Sequence, residues 1–288
     1  MRRTPSVDVR ECSQVAALAD VVSLQRRVWG FGDLDVVPVH LLLTAAHHGG
    51  LVLAAYRDDE PVGMLFGFAG MTPDGRPKHC SHMAGVVAEV RGHGVGSALK
   101  WRQRALLLER GVTLATWTFD PLEARNAAFN LRHLGAWSDT YLEDVYGELD
   151  DDLNRGLPSD RLLVTWRLDD AAVAERASAR ARGGRATLAS NEPPAGAQRP
   201  IAVETRADLR LPTGVVAPSE ATLLIEVPGD VQRLKRQAPE AARAWRFAVR
   251  DALRSAFAAG YRAVDVHHGP VDGVAAAWYR LERPTTPP

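Results

Sequence analysis

Residues 91–96 read Arg-Gly-His-Gly-Val-Gly. They follow a strand-like apolar run and open a segment in which Val95, Ala98, Leu99, Ala105 and Leu106 recur at helical spacing, with Gly111 as its stop. A glycine turn between a strand and a helix is an anion-binding arrangement on physical grounds. Glycine lets the backbone approach a ligand without a Cβ in the way. The first amides of the helix lack internal partners, and the helix dipole favours negative charge there. Arg91 adds a formal positive charge beside the loop. The same residues would equally serve as a tight turn holding nothing, so the loop needs its surroundings to be read.

Upstream, Val7 to Arg10 alternates like a short strand, and Ser13 is placed to cap a helix carrying Val15, Leu18, Val22 and Trp29. A second helix fits Pro38 to His48, stopped by Gly49. Leu51–Tyr56, Val62–Met71 and Lys78–Ala88 read as strands, separated by Asp58-Asp59-Glu60 and by Thr72-Pro73-Asp74-Gly75. Downstream come a strand at Val112–Phe119, a helix at Glu123–Leu134 stopped by Gly135, and strands at Trp137–Tyr146 and Leu162–Leu168. The order βααβββαβαββ predicts an α/β (α+β) domain over residues 1–170, a mixed and mostly antiparallel sheet flanked by helices. Residues 171–200 are rich in Ala, Arg and Gly and then in Pro and Gly, which predicts a helical tail and a flexible linker. Residues 201–288 predict a small C-terminal α/β domain of βαββ order, docked on the first. Its parts are a strand at Thr222–Val227, a helix at Glu240–Ala259 and strands at Tyr261–His267 and Ala275–Leu281.

Of 288 residues, 46% are hydrophobic and 24% charged, as in an ordinary soluble globular chain. Thirty-five basic side chains balance thirty-five acidic ones, which argues against nucleic acid as the main partner, because phosphate neutralisation carries that affinity. Two cysteines, Cys12 and Cys80, form no pairing motif, so neither a disulfide scaffold nor a cysteine zinc site is expected. The pairs His47-His48 and His267-His268 lack partners at ligand spacing, and no metal is expected. Met1-Arg2-Arg3 leads into Pro5, Asp8 and Arg10 rather than an apolar signal run. The longest uncharged stretch, Val36 to Tyr56, is broken by Pro38 and Gly49-Gly50. The expectation is a cytoplasmic protein without a membrane partner; a homodimer is left open. Lysine occurs only at 78, 100 and 235.

Two ligands compete for the loop. A dinucleotide would want Gly-x-Gly-x-x-Gly; Gly92, Gly94 and Ser97 come close, and Asp120 ends the next strand where a ribose-binding acid belongs. Such units begin with their phosphate-binding strand, however, whereas two helices and a strand meander precede it here.

The whole order, with Arg91-x-x-Gly94-x-Gly96 after the fourth strand, resembles the GNAT superfamily of acyl-CoA-dependent N-acyltransferases. Ala127 to Gly135 followed by a strand looks like that family's second motif, and the resemblance covers roughly residues 5–170. It implies a sheet splayed between strands 4 and 5. It also implies that Arg91, Gly92, His93, Gly94, Val95, Gly96 and Ser97 hold the CoA pyrophosphate, while pantetheine pairs with Val86, Val87 and Ala88. Asn126 and Asn130 would be further CoA contacts, with exposed amides as the plainer reading. The family's tyrosine slot, four residues before the glycine that ends the helix, holds Leu131. Tyr141 and Tyr146 are the nearest substitute proton donors, or else core and rim aromatics.

His82 lies where the family often carries a general base, and an imidazole can take a proton near neutral pH; a structural histidine is the alternative. Glu89 reads as a solvated turn residue. Asp120 would be an acceptor contact or a helix cap, and Arg125 or Arg161 would bind an acceptor carboxylate, with a salt bridge to Asp160 or a neighbour as the plainer role for Arg161. Cys80 has no positioned base, so direct attack of an amine on acetyl-CoA or another acyl-CoA is expected, with backbone amides polarising the carbonyl. A near-neutral chain lacks the acidic channel a polyamine or lysine-rich tail would want. The expected acceptor is therefore a small amine such as an amino acid. The alternative is a non-catalytic CoA-binding or interaction module, favoured by Leu131 and the C-terminal extension; a dinucleotide oxidoreductase comes third.

Overall fold

A computed structural model describes residues 7–147, 155–182 and 192–284, so residues 148–154 and linker residues 183–191 lie outside the described residues. The chain divides into two compact units, one running to Trp117 and including Arg167–Asp170, the other comprising Thr118–Trp166 and the chain from Ala171 onward.

The first unit contains β1 (Asp8–Glu11), α1 (Val15–Trp29), α2 (Val39–His47), β2 (Leu51–Arg57), β3 (Glu60–Met71), β4 (Pro77–Val86), α3 (Val95–Glu109) and the start of β5 (Leu114–Phe119). The sheet runs β1-β2-β3-β4-β5. β2 is apolar on both faces and buried from Leu51 to Tyr56, which makes it the centre of the core. Leu18, Val21 and Leu24 of α1 and Val95, Leu99 and Leu106 of α3 pack into the same core. Each such side chain removed from water contributes ~1.5–3 kcal/mol. Helix α1 ends where Gly30 takes φ 71° and returns its N–H to the Arg26 carbonyl. Its N-cap is Gln14 without a side-chain bond, so Ser13 does not serve as the expected cap. Asp58 and Asp59, at φ 51° and 61°, close the β2–β3 hairpin in the left-handed twist that a two-residue connection demands.

β1 to β4 pair antiparallel, whereas β4 and β5 pair parallel and only at His79–Ala115 and Cys80–Thr116. Beyond those pairs the strands diverge, the splay that the GNAT resemblance implies. β4 also carries an extra residue: Ser81 pairs with Gly67 and Met83 with Phe66, leaving His82 bulged out of the ladder. Two glycines permit close packing here. A Cβ on Gly85 would lie 2.7 Å from the Trp29 ring and from Val28, so α1 seats directly on β4. A Cβ on Gly67 would lie 2.2 Å from His79 Nε2 and 2.6 Å from the Cys80 carbonyl oxygen.

The second unit contains α4 (Ala124–Ala127), β6 (Trp137–Leu142), β7 (Arg161–Arg167), α5 (Ala171–Ala181), β8 (Ile201–Arg206), β9 (Leu209–Val215), β10 (Thr222–Pro228), α6 (Val231–Gln237), α7 (Pro239–Ala258), β11 (Arg262–Val271) and β12 (Val274–Glu282). β7, β6, β11, β12 and β10 lie side by side, all antiparallel. Four differences from the sequence reading stand out. The helix expected at 123–134 is α-helical only to Ala127 and then widens into a π-helix over Ala128–His133, with Leu134 N–H reaching the Phe129 carbonyl. β6 ends at Leu142, so Tyr146 lies in a following turn rather than on the strand. The β8–β9 hairpin precedes the expected first strand, and only Ile201 of its residues is buried. Helix α6 is short and starts on Asp230, whose carboxylate accepts the Arg233 N–H at 2.9 Å. Helix α7 follows the reading, burying Ala242, Trp245, Val249, Ala252, Leu253 and Ala256 along one stripe. Among the described residues no helix is long and apolar enough to cross a membrane.

Because its missing Cβ is the seat of the His79 ring and the neighbouring backbone, Gly67→Ala should lower unfolding free energy by ~1–3 kcal/mol through overpacking. Urea denaturation checks this; a midpoint equal to wild type would show that the strands yield without cost.

Candidate functional site

The site builds outward from the end of β4. A single 3-10 turn over Ala88–Val90 carries the chain to Arg91, whose Nε donates back to the Val86 carbonyl at 3.0 Å. Gly92 and Gly94 take φ 80° and 81°, a region that penalises any side chain with a Cβ, and Gly94 is the N-cap of α3. Their conformational role is therefore real with or without a ligand. Gly96 differs. Its φ is not left-handed, and a Cβ there would meet only Val86 Cγ2, at an ordinary 3.8 Å. Nothing in the fold demands glycine at 96, while the first amides of α3 beside it have no intrahelical partners. His93 is exposed, its Nδ1 3.1 Å from the Arg91 carbonyl, whereas Val95 and Ser97 are buried under the loop. Val87 is buried and donates its N–H to Val62, while Val86 is half-buried and Ala88 and Glu89 are exposed.

His82 stands on the open face of the bulge, edge-on to Phe66 (5.9 Å, 89°) and tilted against Phe68 (5.9 Å). Desolvation by this packing lowers its pKa from the ordinary imidazole value, so it is neutral at pH 7 and able to accept a proton. On the other face of β4 lies a polar cluster that the sequence reading missed. Lys100 of α3 is buried; its Nζ donates to Ser81 Oγ (3.1 Å) and Gln103 Oε1 (3.0 Å) and sits 3.5 Å from the centroid of the Trp117 ring. Burial brings its pKa down to about 7. His79 lies on the same face, buried, with neither ring nitrogen hydrogen-bonded among the described residues. Burial, then the charges of Lys100 and Arg110, holds its pKa down at about 3. Only the unusual rarity of lysine in this chain could have drawn attention to position 100.

The second unit holds its own polar cluster. Tyr141 donates to Asp160 Oδ2 at 2.6 Å, and Asp160 is fully buried, also receiving Arg250 through both oxygens (2.8 and 2.7 Å) and the Asp144 N–H. Burial and the bond to Asp160 push the Tyr141 phenol well up, which ties its proton to this network. Tyr146 is about half exposed, its hydroxyl 3.5 Å from Thr118 Oγ1, with the Arg161 guanidinium 5.3 Å from its ring centroid. Arg161 donates to the Asp160 carbonyl (2.9 Å) and lies 4.0 Å from Asp120. Asp120 accepts the Leu122 N–H (2.8 Å) and the buried Arg246 guanidinium (2.5 Å), so it caps a turn rather than α4 and is engaged in an ion pair. Leu131 is in the core, Asn130 is buried, and Asn126 and Arg125 are exposed. Among the described residues no three His, Cys, Asp or Glu side chains gather as metal ligands would.

No protein-family model matches the chain, and no curated protein matches it. Among solved structures it is similar to an acetyltransferase of the GNAT family from Streptococcus pneumoniae, at 14% identity and TM-score 0.47 over 56% of this chain and 99% of that one. It is also similar to a ribosomal-protein-alanine N-acetyltransferase from Brucella melitensis, at 19% identity and TM-score 0.45 over 56% and 99%. A third is an aminoglycoside acetyltransferase from an uncultured soil metagenomic sample, in complex with sisomicin, at 13% identity and TM-score 0.39 over 43% and 84%. The likeness is one of fold.

The buried Lys100 has a measurable signature. Between pH 7 and about 10.5 the unfolded chain binds a proton at Lys100 that the folded chain does not, so stability rises with pH across that window. The difference in unfolding free energy between pH 7 and pH 10 should be larger in wild type than in Lys100→Met, read by urea denaturation. Equal differences would mean that Lys100 titrates as a solvated lysine.

Proposed function

We propose that the chain is an acyl-CoA-dependent N-acyltransferase that passes an acetyl or other short acyl group to the amine of a small molecule. The observation that carries the reading is the loop at 91–96. It joins the partly unpaired end of β4 to α3, holds two left-handed glycines, and carries a third glycine that the fold itself does not require. A pyrophosphate on the amides of Gly92, His93, Gly94, Val95, Gly96 and Ser97, with Arg91 beside it, would use each of these features. Pantetheine would then run along Val86, Val87 and Ala88. The direction of the chain from loop to strand fits a thioester delivered towards His82.

In this reading the amine nitrogen attacks the thioester carbonyl carbon and the C–N bond forms. Neutral His82, directly or through water, takes the proton that the ammonium must lose, and backbone amides of the bulged strand stabilise the oxyanion. The C–S bond then breaks and the thiolate takes a proton. Tyr146 is the preferred donor of the two tyrosines, because Tyr141 is committed to Asp160. Asn126 and Asn130 would add CoA contacts, and Asp120, Arg125 and Arg161 would serve the acceptor. A carboxylated amine, such as an amino acid, suits the arginines. A second reading, CoA binding without turnover, is favoured by one observation: Leu131 is a core residue, so the family's usual phenol has no equivalent there.

Gly96→Ala separates binding from folding. It should leave the urea midpoint unchanged and weaken CoA about tenfold by calorimetry, the equivalent of ~1.4 kcal/mol, because the new Cβ stands in the ligand's approach. Undiminished affinity would refute the phosphate assignment. Turnover is tested by thiol release from short acyl-CoAs against a panel of amino acids, polyamines and peptides. The wild-type acid limb in kcat/KM should fall below pH 6.5, following the lowered His82 pKa, and should vanish in His82→Ala along with most activity. Binding of CoA with no thiol release for any amine would favour the second reading.

A further inference from the structure

Lys100 is costly to bury, yet it stands where the two strands part. Pairing between β4 and β5 stops at Cys80 and Thr116. The next residue on β4 is Ser81 and the next on β5 is Trp117, and the Lys100 ammonium contacts both, at 3.1 Å from the hydroxyl and 3.5 Å from the ring centroid. Gln103, one turn along α3, fixes the ammonium from behind at 3.0 Å. A methionine or leucine would fill this space without desolvating a charge, but would leave the Ser81 hydroxyl and the Gln103 carbonyl without their donor.

The consequence for β4 follows from the register. Ser81 is the last residue before the bulge, and Met83 the first after it. A bulge is a local slip of the ladder and needs its flanks held if it is to keep one geometry. On one side the flanks are held by Gly67 and Phe66 of β3. On the other, where β5 has departed, the Ser81 side chain is held by Lys100. We propose that Lys100 is a positioning residue: its ammonium ties Ser81 of β4 to Trp117 of β5 at the fork, sets how far the strands part, and so fixes the bulge that presents His82. The inference rests on the acyltransferase reading only for its effect on rate; the effect on the strand stands without it.

The test uses the full chain and two lesions. Lys100→Met removes the tie from the helix side, and Ser81→Ala removes it from the strand side while leaving the lysine in place. Hydrogen exchange over residues 81–86 should accelerate about tenfold in both, with β1 and its pairing to β2 unchanged, because the opening is local. The His82 ring resonance should move in both, and Ser81→Thr, which keeps a hydroxyl, should restore both signals. If Lys100→Met fails to fold, Ser81→Ala with its threonine rescue decides alone. Where the chain turns over acyl-CoA, the variants should lower kcat with CoA affinity held within a factor of ~2, since the loop at 91–96 is untouched. A wild type that neither binds nor uses acyl-CoA would sink the acyltransferase reading and leave exchange to judge this one. Unchanged exchange over 81–86 and an unmoved His82 resonance in Ser81→Ala would overturn it.

Discussion

Two residue pairs, His79 with Ala115 and Cys80 with Thr116, are the whole of the ladder between β4 and β5. A parallel pair this short leaves backbone polar groups of β4 facing away from β3 with no strand to satisfy them, and such groups need some other partner when they are removed from water. Two side-chain bonds lie along this stretch: the Val86 carbonyl takes the Arg91 guanidinium, and the Ser81 hydroxyl takes the Lys100 ammonium.

The parts of the fold that were legible in the sequence are those governed by local chemistry. The unbroken apolar run Leu51–Tyr56 becomes the buried central strand, Gly30 and Gly111 stop helices, and the spacing of Arg91, Gly94 and Gly96 marks the strand-to-helix loop. What could not be read depends on partners distant in the chain. Nothing near Lys100 announces that it will be buried against residues 19 before and 17 after it, on two different strands. Asp120 looks like a cap until Arg246, 126 residues away, claims its second oxygen. The π-helical turn at Ala128–His133 is invisible to a period count, since one inserted residue shifts the pattern less than the spread of apolar positions does.

The second unit shows how far burial of charge can go when every oxygen is spoken for. Asp160 is inaccessible to water, and its two oxygens receive a phenol, a backbone amide and both arms of Arg250. Arg210 and Glu226 make a second such pair, with the Trp278 indole donating to the same carboxylate. Pairs of this kind contribute little net stability compared with apolar packing, but removing one partner strands the other. Each also reaches a neighbouring turn: Asp160 accepts the Asp144 N–H, and Arg210 lies 3.8 Å from Asp272.

Gly85 has a consequence of another kind. By letting α1 lie directly against β4, it places the Trp29 ring, itself stacked on Phe31 at 5.4 Å, behind the strand one residue before its end. Any ligand that draws Val86 and Val87 outward must stretch or relax that contact. On the acyl-CoA reading the indole would be an optical gauge at the back of the strand, and the difference in emission between the chain with its seven tryptophans and Trp29→Phe would isolate the one beside Gly85.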